Sequence, residues 1–145
     1  MTEVIGAASG LVGLATFAGQ CSVSLYKTVT SYQSHQQRVR DLVDETTALA
    51  DVLHSLADTA RANPELQIPA LAIPLKRCAR ACQEFEQEIK KFSSRSDGDR
   101  TSFRDWARLR YMGENVDDFR RLLSGYKMTI TIALTDASMY VVANI

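Results

Sequence analysis

Over residues 36–62 the apolar positions return at alternating steps of three and four: Val39, Leu42, Thr46, Leu49, Leu53, Leu56 and Ala60. That spacing predicts an amphipathic helix with a narrow core stripe. Arg38, Arg40, Asp41, Asp44, Glu45, Asp51 and Asp58 take mostly the other faces. The stretch "ANPELQIP" ends it, because Asn63 and Pro64 stop helices and Pro69 suits the start of the next. A third helix is expected over about residues 70–92, where Leu75, Cys78, Cys82, Phe85, Ile89 and Phe92 repeat the spacing. Pro74 then falls in its first turn or kinks it. The polar stretch "SSRSDGDRTS", residues 93–102, reads as a loop.

A last helical region runs over residues 103–142, in two pieces with Gly113 as the break. Phe103, Trp106, Ala107 and Leu109 form the first stripe, with Trp106 as the expected core anchor. Val116, Phe119, Leu122, Leu123, Tyr126, Ile130, Ala133, Leu134, Ala137 and Val141 form the second. "MTITIAL" also alternates like a strand, but no second strand is there to pair with it, so helix is the expectation.

The first 26 residues differ from the rest. No charged residue stands between Glu3 and Lys27, and the stretch is rich in Gly, Ala and Ser. A helix can start at Thr2, with Ile5, Ala8, Val12, Ala15 and Gly19 on one face and Leu11, Leu14 and Ala18 widening it. Such a helix is apolar nearly all round and belongs in a core or a bilayer. A secretory leader is disfavoured, since Glu3 precedes the apolar run and no Lys or Arg does. The stretch is long enough to span a membrane, but its Gly, Ser and Thr residues dilute it. Both homes stay open. The pattern as a whole predicts one all-α domain over residues 1–145, a bundle of four to five helices.

Composition narrows the function. The 145 residues carry 17 basic and 17 acidic side chains, so bulk charge does not point to nucleic acid. Bases nevertheless gather over residues 76–127, including Arg100, Arg104 and Arg108. They form either a solvated helix face or a surface for anionic lipid or an acidic partner. The three cysteines suit a reducing compartment, and Cys78 and Cys82 share one helix face as core residues rather than half a metal site. The sequence contains no phosphate loop, dinucleotide fingerprint, H-E-x-x-H or nucleophile elbow. Asp117 and Asp118 are neighbours that diverge on a helix and make no carboxylate pair. No enzymatic role, cofactor or metal is expected.

Three segments carry a resemblance: "MTEVIGAASGLVGLATFAGQC", "VRDLVDETTALADVL" and "FRDWARLRYMGENVDDFRRLLSGYKMTITIALTDA". Together they cover nearly the whole chain. The last is the most specific, with Trp106, Arg110, Tyr111, Phe119, Leu122, Leu123, Tyr126, Lys127, Ile130, Ala133 and Leu134 in order. The chain resembles the fungal N-terminal domain of STAND/NLR-type receptors, called HeLo-like. That family is similar to the four-helix executioner domain of mixed-lineage kinase domain-like proteins and to the coiled-coil domain of plant resistance receptors. The resemblance implies a cytoplasmic bundle that self-associates on activation, through a cognate receptor or an amyloid-type activator. It then inserts its first helix in the plasma membrane and kills the cell. On that reading Val4, Ile5, Leu11, Val12, Leu14 and Phe17 meet lipid, and Gly6, Gly10 and Gly13 allow helix–helix contact. Arg100, Arg104 and Arg108 would meet anionic lipid. The alternative is an interaction module that oligomerises or recruits a partner without touching lipid.

Overall fold

The computed structural model of the chain describes residues 10–31, 37–94 and 113–143. They form four α-helices and no strand: α1 (Leu11–Ser31), α2 (Gln37–Ala62), α3 (Ala72–Ser94) and α4 (Gly113–Ala143). A single 3-10 turn, Pro69–Leu71, leads into α3. The fold is therefore the all-α bundle that the periodicity predicts.

The helix ends follow local chemistry. Asn63 closes α2 by donating from its Nδ2 to the Thr59 carbonyl at 2.9 Å, which satisfies one of the carbonyls that a helix end leaves without a partner. Pro69 opens the 3-10 turn at a position that needs no N–H donor. Pro74 lies in the first turn of α3, where it breaks no helical hydrogen bond. Ser93 and Ser94, expected in the loop, still belong to α3. In α4 the β-branched run stays helical. Thr129, Thr131 and Thr135 each donate their hydroxyl to the carbonyl four residues back, at 3.0, 2.7 and 2.9 Å.

Side-chain pairs set the directions of the helices. Gly19 of α1 packs on Leu53 and His54 of α2, and Arg61 Nη2 donates to Thr16 Oγ1 at 3.0 Å, so α1 and α2 are antiparallel. Ser22 meets Cys82, and Ser24 and Thr28 both meet Glu86, so α1 and α3 run parallel. Asp41 pairs with Arg120 and Glu45 with Lys127, so α2 and α4 are parallel too. α1 packs against α2 and α3, while α4 packs against α2 and more lightly against α3. The consecutive helices α2 and α3 thus occupy opposite corners. The start of α1, the end of α2, the start of α3 and the end of α4 share one end of the bundle.

The core is continuous. All seven stripe positions of α2, from Val39 to Ala60, are buried. So are Leu75, Cys78, Cys82, Phe85 and Ile89 of α3 and Val116, Phe119, Leu123, Ile130 and Ala137 of α4. The Phe85 and Phe119 rings stack nearly parallel, 4.1 Å apart, and join α3 to α4. Leu122, expected in the α4 stripe, is exposed, since Leu123 beside it takes the core position. The Phe92 side chain and Trp106 lie outside the described residues, as does the break expected before Gly113.

Candidate functional site: the first helix and its seat

α1 is packed by small residues. Its buried positions are Leu11, Gly13, Ala15, Ala18, Gly19, Cys21, Ser22, Leu25 and Val29. Only Leu11, Leu25 and Val29 among them are large aliphatics, whereas α2 buries Val39 and four leucines. Transfer free energy follows apolar area, at roughly 25 cal/mol per Å². α1 therefore gains less from the core than α2 does. Its glycines allow a close approach instead: a Cβ at Gly19 would lie 3.6 Å from the His54 ring and 3.7 Å from Leu53 Cβ.

Polar groups supply part of the remaining hold. Glu86 of α3 is 8% exposed. Its carboxylate accepts from Ser24 Oγ at 2.6 and 2.8 Å and from Thr28 Oγ1 at 3.3 Å, and Lys90 stands 3.3 Å away. One α3 carboxylate thus clamps two hydroxyls of α1. Hydrogen bonds to an ionised group contribute about 1.5–3 kcal/mol each. We expect Glu86→Ala to lower the unfolding free energy by about 1–3 kcal/mol, by the loss of its hydrogen bonds from the exposed Ser24 and the half-buried Thr28. Glu86→Gln, which keeps an acceptor, should lose less; urea titration of both variants measures the difference.

The three cysteines meet at the same seam. Cys21 of α1 joins Cys78 and Cys82 of α3, and Ser22 Oγ lies 3.8 Å from Cys82 Sγ. Burial, with the neighbouring Cys82 and Glu86, pushes the Cys21 thiol up to about 11. Cys78 is also pushed up, by its hydrogen bond to Cys82 and by burial. The hydrogen bonds from Cys78 and Ser22 pull Cys82 the other way. All three thiols are free and buried. Among the described residues no group of His, Cys, Asp and Glu is arranged to hold a metal. A thiol raised in the folded state binds its proton more tightly there than in the unfolded chain. Stability from Cys21 is then fully present below pH about 8.5, the ordinary thiol value, and is lost as pH rises toward 11. We expect the melting temperature to fall across that window, and Cys21→Ser to flatten the fall.

The positions expected to meet lipid divide. Leu11 is buried, Val12 and Leu14 are half-buried against the core, and Phe17 is 39% exposed. Val4, Ile5 and Gly6 lie outside the described residues, as do Arg100, Arg104 and Arg108. Gly13 is buried in α1. Gly10 differs from the expected helical contact site: its φ is +58°, a left-handed turn just before Leu11. No described helix is long and apolar enough to cross a membrane. Of the basic region, Arg121 pairs with Asp118 at 3.1 Å and Arg120 stands 3.6 Å from Asp41. Lys76, Arg77 and Arg80 are exposed on α3.

A feature that the stripes did not reveal lies at the shared end of the bundle. Residues 65–71 and the last turns of α4 enclose a groove of about 500 Å³. Its walls include Leu66, Ile68 and Leu71 on one side and Ile132, Ala133, Ala137 and Tyr140 on the other. Ile132 and Tyr140 are exposed, and Met128, Met139 and Val142 extend the apolar surface of α4. The signal for it in the sequence is that "MTITIAL" is apolar on two faces, one more than a bundle corner buries.

With this architecture in place, comparison of the chain with known families gives one result that decides its kinship. Residues 2–144 match the model of the family described as "Pigment biosynthesis cluster protein PigL N-terminal". The chain belongs to that family. The match takes in all four helices, so the bundle as a whole is the family's domain. No curated protein and no solved structure matches the chain.

Proposed function

We propose that this PigL N-terminal domain is a membrane-acting effector of the HeLo-like kind. It rests as a cytoplasmic bundle and acts by self-association and insertion of its first helix in the plasma membrane, in a fungal immune or incompatibility response. The observation that carries the reading is the seat of α1. A helix with no charge before Lys27 is held by three large aliphatics and one carboxylate clamp, not by a deep apolar stripe. Such a helix gains less from apolar burial than α2, which buries Val39 and four leucines. The described helix is too polar to span alone. The inserting unit in this reading is residues 2–26, with Gly, Ser and Thr facing neighbouring copies and Val4, Ile5, Leu11, Val12, Leu14 and Phe17 facing lipid. Arg100, Arg104 and Arg108 would supply the attraction to anionic headgroups, about 1 kcal/mol each near the surface.

The test is dye leakage from vesicles with and without anionic lipid. The reading expects leakage that is stronger with anionic lipid and falls as salt is added. Intact vesicles under all conditions, including at protein concentrations where the chain oligomerises, would count against it.

A second reading has an observation in its favour. The exposed apolar surface of α4, with Met128, Ile132, Met139, Tyr140 and Val142, is larger than scattered single residues would make it. An oligomerisation or recruitment module would use such a surface without touching lipid. A partner complex that forms through α4, combined with silence in the leakage assay, would select this reading.

A further inference from the structure

We propose that the groove between residues 65–71 and α4 receives the outer face of α3 from a second copy of the chain. The pairing names a contact for the self-association in the reading above. It rests on that part of the reading alone and needs no lipid.

The two surfaces match in chemistry. Ile73, Lys76, Arg77 and Arg80 stand at helical spacing and share one face of α3. All four are exposed, Ile73 at 61%. The face is thus one large apolar side chain followed by three cations. The groove is its counterpart. Leu66, Ile68, Leu71 and Ile132 line it, and the carboxylates of Glu65 and Asp136 stand beside them. Ile132 is 58% exposed there. Among the described residues, none of the three bases and neither of the two acids has an ion-pair partner. By contrast Arg120, Arg121 and Lys127 are taken up by Asp41, Asp118 and Glu45. The groove of about 500 Å³ has room for Ile73 and for the aliphatic stems of Lys76 and Arg77. Contact of Ile73 with Ile132 removes apolar area from water on both copies, and the opposite charges fix the register.

Position favours a second copy over a membrane. Ile73 follows Leu71 of the groove wall by two residues, and the start of α3 shares one end of the bundle with the end of α4. A two-fold axis at that end sets the α3 face of each copy in the groove of the other. Both contacts then form at once, and the assembly closes at two copies. A flat anionic membrane pressed on the same end would meet Glu65 and Asp136 along with the bases, and like charges repel.

The test is sedimentation velocity of the full chain over a range of concentrations, without vesicles. A monomer–dimer equilibrium that added salt weakens is expected. Glu65→Lys with Asp136→Lys should weaken it about tenfold or more, and so should Lys76→Glu with Arg77→Glu, because each sets like charges face to face. The four substitutions together exchange the signs across the contact and should restore the dimer. Lys76→Glu and Arg77→Glu combined with Asp44→Lys and Asp51→Lys have the same net charge but keep like charges in contact, so that chain should stay weak. All these positions are exposed, so the variants should fold like the parent, which circular dichroism verifies. A dimer that either pair of substitutions leaves intact overturns the proposal, while self-association itself stands. A parent chain that stays monomeric up to about 1 mM also overturns it. If Lys76→Glu with Arg77→Glu then lowers binding to anionic vesicles, the α3 face belongs to lipid instead. Leakage is read in a separate assay, so the membrane reading stands or falls independently.

Discussion

Phe17→Lys is expected to abolish vesicle leakage while leaving the bundle folded. Phe17 is exposed on α1, so a lysine there meets water in the resting state and removes little from the core. In the inserted state the same position falls near the middle of the apolar stretch between Glu3 and Lys27. A lysine at mid-span costs about 2.5–3.5 kcal/mol on insertion scales, which is about a 100-fold loss in the insertion equilibrium. Leu14→Lys carries the same cost in lipid but also disturbs packing, because Leu14 is half-buried against the core. Removal of residues 2–19 should also abolish leakage, but it takes out the buried Leu11, Ala15 and Ala18 and so threatens the fold. The point substitution at Phe17 separates the two effects, with circular dichroism and melting as the controls on folding. Retained leakage by a folded Phe17→Lys protein would assign α1 a structural role only.

Leu25→Ala should have the opposite consequence for activity and the largest consequence for stability. Leu25 is fully buried where α1 meets the core. Truncation of a fully buried leucine costs about 2–5 kcal/mol, from lost transfer energy and the cavity left behind. For a chain of this size that lowers the melting temperature by roughly 6–20 °C. α1 has few other large anchors, so the loss falls mainly on its attachment. If release of α1 precedes insertion, Leu25→Ala should leak vesicles at lower protein concentration than the parent. A leucine of equal burial on α2, such as Leu49, should cost similar stability when truncated but raise leakage less. Equal effects at both positions would show that global unfolding, not release of α1, controls activity.

The comparison of these two helices also shows what a sequence can reveal. In α2 apolar and charged residues alternate cleanly, and every position of its stripe is buried. α1 gives no such contrast. Its apolar residues surround the helix, so the face read as Val12, Ala15 and Gly19 is not quite the one that packs. The buried stripe runs Leu11, Ala15, Ala18, Ser22, Leu25 and Val29, and its strongest anchors lie at its far end, beside the first charge. The pairing of Cys78 with Cys82 follows from helical spacing, but the addition of Cys21 requires the parallel contact of α1 with α3. In the sequence Glu86 stands between Glu84 and Glu88 with nothing to single it out; the facing hydroxyls of Ser24 and Thr28 make it a clamp. The groove at the end of the bundle is likewise a product of packing. It joins a loop and a helix about 60 residues apart, which no local pattern connects.

The central claim is that the first helix moves from its seat into lipid. Depth-dependent quenching tests it most directly. Tryptophan at position 17, in a chain whose Trp106 is replaced by Phe, is mixed with anionic vesicles that carry bromine at different depths of the acyl chains. Insertion predicts strong quenching by bromine near the bilayer centre and loss of quenching by aqueous acrylamide. Fluorescence that stays open to acrylamide and indifferent to every brominated lipid, under conditions where the protein binds the vesicles, would contradict it.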